Sequence, residues 1–274
     1  DPGYGVVTLG GNVKWNKLYT YPPSTRSLIE GNRHYDVSNE TLPSVTTILQ
    51  ATQDEAKRES LSKWRQKVGE NVAEKIKEEA ARRGTAMHEF LEYYLRNEKL
   101  LDLSDEGQAA SGMGQAIIKQ GFNDLSEIWG SEVVLFYPGL YAGQTDLCGI
   151  YSGRESIIDF KQTNKPKRRE WIDDMFLQLA AYAMAHDQIY KTCIDQGVIL
   201  MCSKDGFFQK FTSTGQEFTK YKHKFLERVG RFYQKMTSKK WKKRVFWGQK
   251  GVFWGQKGTF FRFLEGQNRV FLEK

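Results

Sequence analysis

Between Asp54 and Arg83 the chain places Leu61, Trp64, Val68, Val72 and Ile76 at spacings of three and four among Lys and Glu. That period predicts an amphipathic helix with Trp64 on its core-facing stripe. Gly84 is expected to interrupt it, after which Met87, Phe90, Leu91, Tyr94 and Leu95 share the stripe of a second helix. Upstream, Pro43-Ser44 marks a helix start, since a serine hydroxyl can cap the first free amides. Asp105 to Trp129 is a third helical stretch, weakened by several glycines.

After Gly130 the period falls to two. Glu132–Tyr137, Gly143–Tyr151, Glu155–Lys161, Gly197–Cys202 and Phe207–Thr212 read as strands. Turns are expected at Pro138-Gly139, Ser152-Gly153 and Asp205-Gly206. Arg169 to Asp187 is strongly helical and separates the third strand from the fourth, and a last helix runs from Gln216 to about Met236. This order predicts an α/β fold, one mixed sheet flanked by helices. Residues 1–42, rich in Gly, Tyr, Asn and Pro, read as an irregular N-terminal arm. Residues 43–237 read as the main domain, helical over 43–129 and sheet-based over 130–237, and residues 238–274 as a basic aromatic tail.

Charge changes the picture only locally. The 274 residues carry 41 Lys plus Arg against 33 Asp plus Glu, but the tail alone holds ten basic and two acidic residues. The rest is neutral overall, which excludes a uniformly basic packaging protein. The tail repeats VFWGQKG at 245–251 and 252–258, too few copies for a solenoid and readable as a duplication or an artefact. No stretch approaches the roughly 18 apolar residues of a membrane helix, so no membrane partner is expected. Three scattered cysteines, Cys148, Cys193 and Cys202, favour a reducing compartment over a disulfide framework. The expected setting is the cytoplasm of a bacterium or phage-infected cell. A chain beginning at Asp1 keeps a removed leader, and with it a mitochondrial setting, open.

The chemistry concentrates in Gly143-Gln144-Thr145-Asp146 and Ile157-Ile158-Asp159-Phe160-Lys161. On a strand, Asp159 and Lys161 share a face while Phe160 points away. A hairpin through Ser152-Gly153 would bring Asp146 beside Asp159. Two close carboxylates call for a cation, and oxygen ligation suits Mg²⁺ or Mn²⁺. Lys161 beside such a metal could orient a water and offset transition-state charge. A surface hairpin with an ordinary salt bridge explains the same residues. Gln178 and Tyr182 lie one helical turn apart, so Gln178 either reads substrate or satisfies the core. His88, beside an apolar stripe, is open to a structural or a ligand role.

Taken in order, Gly84-x-x-x-His88, Gly143-x-x-Asp146, Asp159-x-Lys161 and Gln178-x-x-x-Tyr182 resemble the RecB-type branch of the PD-(D/E)XK nuclease superfamily. Residues 42–50 (LPSVTTILQ), 61–67 (LSKWRQK), 158–167 (IDFKQTNKPK) and 203–206 (SKDG) narrow the resemblance. They look like the group of mitochondrial genome maintenance exonucleases with their phage and bacterial relatives. The resemblance implies a metal-dependent exonuclease on single-stranded DNA, with N-terminal helices arching over a threaded strand and cleavage leaving 5′-phosphates. It also implies that His88, Asp146, Asp159 and the Phe160 carbonyl bind Mg²⁺ or Mn²⁺. Lys161 would position the attacking water, and Gln178 and Tyr182 would order the site and contact substrate. Thr145-Asp146 stands where relatives often have Pro-Asp, and Gln162 where many have Thr.

Lys165, Lys167, Arg168 and Arg169 follow Lys161 closely and could neutralise phosphates, although a solvated loop accounts for the charge as well. On the helices, Lys63, Arg65 and Arg83 are further candidate DNA contacts. Three cysteines argue against an iron–sulfur subtype, and the absence of any Gly-Lys dipeptide excludes a P-loop motor in this chain. A helicase or a single-strand-binding protein would be a separate partner, and the chain itself is expected to be a monomer. Two alternatives stay open: a structure-specific endonuclease and a non-catalytic DNA-binding recombination accessory protein. The tail, with Trp241, Trp247 and Trp254, is either a packed or partner-binding element or an auxiliary single-strand contact.

Overall fold

Alternating apolar positions from Leu125 onward build the central sheet of this computed structural model, which describes residues 8–9, 13–98, 100, 102, 104–244, 260–263 and 270–273. Its strands are β6 (Leu125–Tyr137), β7 (Tyr141–Tyr151), β8 (Arg154–Thr163), β9 (Gln196–Ser203) and β10 (Phe208–Thr214). Two short N-terminal strands, β1 (Thr8–Leu9) and β2 (Val13–Trp15), extend it to the order β1-β2-β6-β7-β8-β9-β10. β2 runs parallel to β6 and β9 parallel to β8, while the other neighbours are antiparallel. The sheet is therefore mixed, as the pattern predicts. The parallel β8–β9 pair needs a long crossover, which helix α5 (Asp173–Tyr190) supplies.

Period-two alternation gives the sheet two apolar faces. Cys148, Ile157, Ile199 and Met201 pack on one side beneath α1 (Val45–Ala51), α5 and α6 (Gly215–Arg244). Leu147, Ile158, Phe160 and Leu200 pack on the other beneath α3 (Glu70–Leu95) and α4 (Asp105–Gly121). Helix α1 starts as expected, with the Ser44 hydroxyl accepting from the Thr47 amide at 3.0 Å. Arg228 on α6 donates to Thr52 Oγ1 and the Leu49 carbonyl, tying α6 to the end of α1.

Several local expectations need correcting. Helix α3 runs through Gly84 without a break; the interruption falls at Gly69, whose φ of 88° ends α2 (Glu55–Val68). An interior helical glycine costs only about 1 kcal/mol, which tertiary packing overrides. The third helix ends at Gly121 and not at Trp129, and β6 begins at Leu125 after a short 3₁₀ turn. Most of all, the stripe on α2 is not core. That helix has no buried residue, Leu61 (49%) and Trp64 (38%) are exposed on it, and Val72 (52%), the next position of the stripe, is exposed at the start of α3.

Among its described residues, the segment read as an irregular arm is mostly strand. β3 (Ser24–Ile29), β4 (Asn32–Val37) and β5 (Glu40–Pro43) form an antiparallel three-stranded sheet. Tyr21 docks it: its hydroxyl lies 3.1 Å from both Cys148 Sγ and His186 Nε2. Downstream, β11 (Phe260–Phe263) and β12 (Val270–Glu273) pair in a separate two-stranded sheet, and the VFWGQKG repeats lie outside the described residues. Among the described residues no helix is long and apolar enough to cross a membrane, and the three cysteines are free.

Candidate active site

The site forms where β7 and β8 part. Ser152 and Gly153, with φ of 49° and 73°, make the tight turn that sets the register from Tyr151↔Arg154 to Leu147↔Ile158. One step further, Asp146 and Asp159 would face each other, but the ladder stops. Asp146 Oδ2 instead accepts the Phe160 amide at 2.7 Å, so a side chain replaces a strand bond and pins the carboxylate at the fork. Both aspartates are buried, and Phe160 packs its ring on the opposite face against Phe122 and near His88.

Helix α3 brings His88 to this fork. Its Nδ1 lies 3.3 Å from Asp146 Oδ1 and 3.8 Å from Glu132 Oε1. One ligand atom each from His88, Glu132 and Asp146 all fall within 4.8 Å of one another. Glu132 was absent from the sequence-derived set, although the register of the β6–β7 hairpin, counted back from Tyr137↔Tyr141, places it across from Asp146. It adopts φ of 52°, an unfavourable left-handed conformation for a glutamate, of the kind that strained functional positions show. Asp159 stands outside that trio and pairs with Lys161, Nζ to Oδ2 2.5 Å.

The electrostatics are those of crowded carboxylates lacking enough positive charge. Burial opposes charging His88, yet Asp146 and Glu132 overcome it and raise the imidazole to about 10. Burial pushes Asp159 up to about 6, against the pull of Lys161 and helped by Asp146. Burial raises Asp146, but the charge and hydrogen bond of His88, the Lys161 charge and the Phe160 amide together hold it below its usual range. Protonated His88 thus supplies the compensation that a divalent cation held by the same groups would give these anions. The donor set suits one: an imidazole nitrogen and two carboxylates, with the buried Asp159 carboxylate, paired to Lys161, beside them.

Lys161 continues into a second set of contacts, donating to Gln178 Oε1 at 3.4 Å, while Gln178 Nε2 donates to the Tyr182 hydroxyl at 2.9 Å. Crossover helix α5 lies over the face that carries Asp159 and Lys161, so two residues one turn apart line up with the lysine. Gly143 makes room: a Cβ there would sit 2.5 Å from Tyr182 Cε1. Gly84 has a parallel reason, since the Gln162 side chain lies against it and Gln162 Nε2 donates to the Ala80 carbonyl at 2.9 Å. Gln162 therefore seats α3 on β8.

The cleft above these residues, about 690 Å³, is lined by Arg26, Gly84, His88, Glu132, Lys161 and Gln162 among others. Helices α2 and α3 form a hairpin with one foot on each element of the lysine network. Lys57 on α2 pairs with Asp174 on α5 at 2.9 Å, and Arg83 on α3 bonds Gln162 at 2.9 Å and Asn164. The cations expected to contact DNA divide accordingly. Arg83 is 7% exposed and braces helix to strand, Arg65 pairs with Glu70 and Glu74, and Arg169 bonds Glu217 and the Thr212 carbonyl. Lys63, Lys165 and Arg168 are exposed and Lys167 is half-buried; Lys63 pairs loosely with Glu59, and Arg168 sits over the Trp171 ring.

Three curated proteins are similar in sequence. Human mitochondrial genome maintenance exonuclease 1 is 31% identical over 175 residues, 60% of this chain and 50% of the human protein. The proteins of the same name from Xenopus tropicalis and Mus musculus are each 28% identical, over 180 and 194 residues. Those alignments cover 62% and 64% of this chain, and 51% and 56% of the respective relatives. The chain spans about half the length of the curated relatives it matches. No family model matches it.

Proposed function

We propose that this chain is a divalent-metal-dependent deoxyribonuclease of the PD-(D/E)XK type, RecB-like branch, degrading single-stranded DNA from free ends. The observation that carries the reading is the convergence, at one strand fork, of His88, Glu132 and Asp146 with the Asp159–Lys161 pair. Similarity to proteins named exonucleases supports it independently. A bound Mg²⁺ or Mn²⁺ would polarise the scissile phosphate and lower the pKa of water.

His88, Glu132 and Asp146 would hold that ion, joined by Asp159 and the Phe160 carbonyl. Lys161, anchored between Asp159 and Gln178, orients the attacking water and faces the charge that builds on the phosphoryl oxygens. The water oxygen bonds to phosphorus, the bond to the 3′-oxygen breaks, and the departing oxygen takes up a proton. The products are a 5′-phosphate and a 3′-hydroxyl. Tyr182 holds Gln178 and hence the lysine. The hairpin of α2 and α3 acts as the arch under which a free strand passes, with Lys63, Lys165, Lys167 and Arg168 towards its backbone.

The test is digestion of linear and closed circular single-stranded DNA, end-labelled where linear, with Mg²⁺ or with EDTA. Linear DNA should be degraded only with metal, and Asp159→Ala or Lys161→Ala should lower the rate by about 10³-fold or more. Efficient nicking of the circle would replace end-threading by the endonuclease alternative. Activity untouched by EDTA would overturn the metal assignment.

A further inference from the structure

Arg26 lies on β3, ahead of every motif that carries the family resemblance, yet it lines the same cleft as His88, Glu132 and Lys161. Two contacts place it. Its guanidinium carbon sits 5.9 Å from the Tyr35 ring centroid, and its Nη2 donates to Gln144 Oε1. Gln144 passes the constraint on: with its carbonyl oxygen taken by Arg26, its Nε2 faces Glu132 and donates to Oε2 at 2.5 Å. That leaves Glu132 Oε1 turned towards His88.

The contact to Gln144 uses little of what a guanidinium offers. Arginine has five N–H donors in a planar fork, and a neutral amide oxygen occupies only part of it. Among the described residues Arg26 forms no ion pair with a carboxylate, unlike Arg65 and Arg169. Around it the cleft also carries Glu89, Glu92 and Glu132. A polyanion entering there is repelled along most of the rim and attracted where Arg26 and Lys161 face it.

We propose that Arg26 is a phosphate-binding residue of this cleft, gripping the nucleic-acid backbone beside the metal centre, so that the β3–β5 sheet forms one wall of the substrate site. The proposal rests on the nuclease reading above. The fork geometry suits the non-bridging oxygens of a phosphodiester, and Tyr35 and Gln144 hold it ready before substrate arrives.

The test is binding of a fluorescent oligothymidylate in EDTA, followed by anisotropy across a KCl series, for wild type, Arg26→Ala and Arg26→Lys. Removing one phosphate contact should weaken affinity by about tenfold and reduce the slope of log affinity against log salt by about 0.7. Arg26→Lys should recover the slope but only part of the affinity, because an ammonium cannot grip bidentately. Unchanged affinity and slope in Arg26→Ala overturns the proposal. So does lost affinity at an unchanged slope, because the defect is then a loosened arm and not a missing charge. If wild type itself neither binds the oligonucleotide nor degrades it with Mg²⁺, the nuclease reading falls and this inference falls with it.

Discussion

Glu132 shows how much chemistry hangs on one residue's position. Its carboxylate is split between two duties, with Oε2 bonded by Gln144 and Oε1 turned to His88. Replacing it by Gln keeps the shape and removes the charge, so the site should lose metal affinity by at least the roughly 10–100-fold that removing even a hydrogen-bond partner of a metal ligand costs. Isothermal titration with Mn²⁺ measures this directly, and an unchanged dissociation constant would take Glu132 out of the ligand set. Asp146, Asp159, Lys161 and His88 were legible from their motifs because each lies at a fixed offset within one strand or helix. Glu132 carries no such offset; it becomes visible only when β6 and β7 are paired.

At the scale of elements, the site depends on the fit between β7 and α5. Gly143 has no side chain because the Tyr182 ring fills that space. Gly143→Ala forces the helix or the ring to move, which should cost about 1–3 kcal/mol of stability, as overpacking does. It should also lower activity through the Gln178 bond to Lys161, and denaturant melts run beside rate measurements will separate the two effects. Stability and rate both equal to wild type would mean that the contact is not tight. Helix α2 makes the converse point. Its apolar spacing predicts a buried stripe, yet Leu61 and Trp64 are exposed because the helix is held near its ends, by Lys57 to Asp174 on α5 and by Arg65 to Glu70 and Glu74 on α3, and no described element covers the face between. Periodicity says that a face is apolar; what covers the face is decided elsewhere in the chain.

For the whole molecule, the junction between the N-terminal segment and the sheet turns on His186. It is fully buried, stacks on Trp129, contacts the Tyr21 hydroxyl, and has Nδ1 2.8 Å from Thr192 Oγ1. Burial lowers its pKa to about 4 from an ordinary 6.5. The folded state therefore holds a neutral ring while the unfolded chain takes up a proton below 6.5. Its stabilising share is complete above pH 6.5 and is lost as pH falls towards 4, a change of about 3 kcal/mol. Thermal melts from pH 7.5 to 4 should show Tm falling through that window, less steeply in His186→Gln. Identical profiles for the two proteins would contradict this.

By itself, the sequence determined the local features: the period-two strands, the Ser152-Gly153 hairpin, the Ser44 cap, and the spacing that sets Asp159 and Lys161 on one face. Short-range sterics and hydrogen bonding fix these within a few residues, so they can be read along the chain. Tertiary structure alone decided that α2 stands off the body, that residues 13–43 dock as strands, that Arg83 is a buried brace, and that Glu132 and Arg26 enter the cleft. Each of those outcomes is a contact between residues far apart in sequence. Such contacts are chosen by which faces remain unfilled once the sheet has formed, and the pattern of one segment does not carry that information.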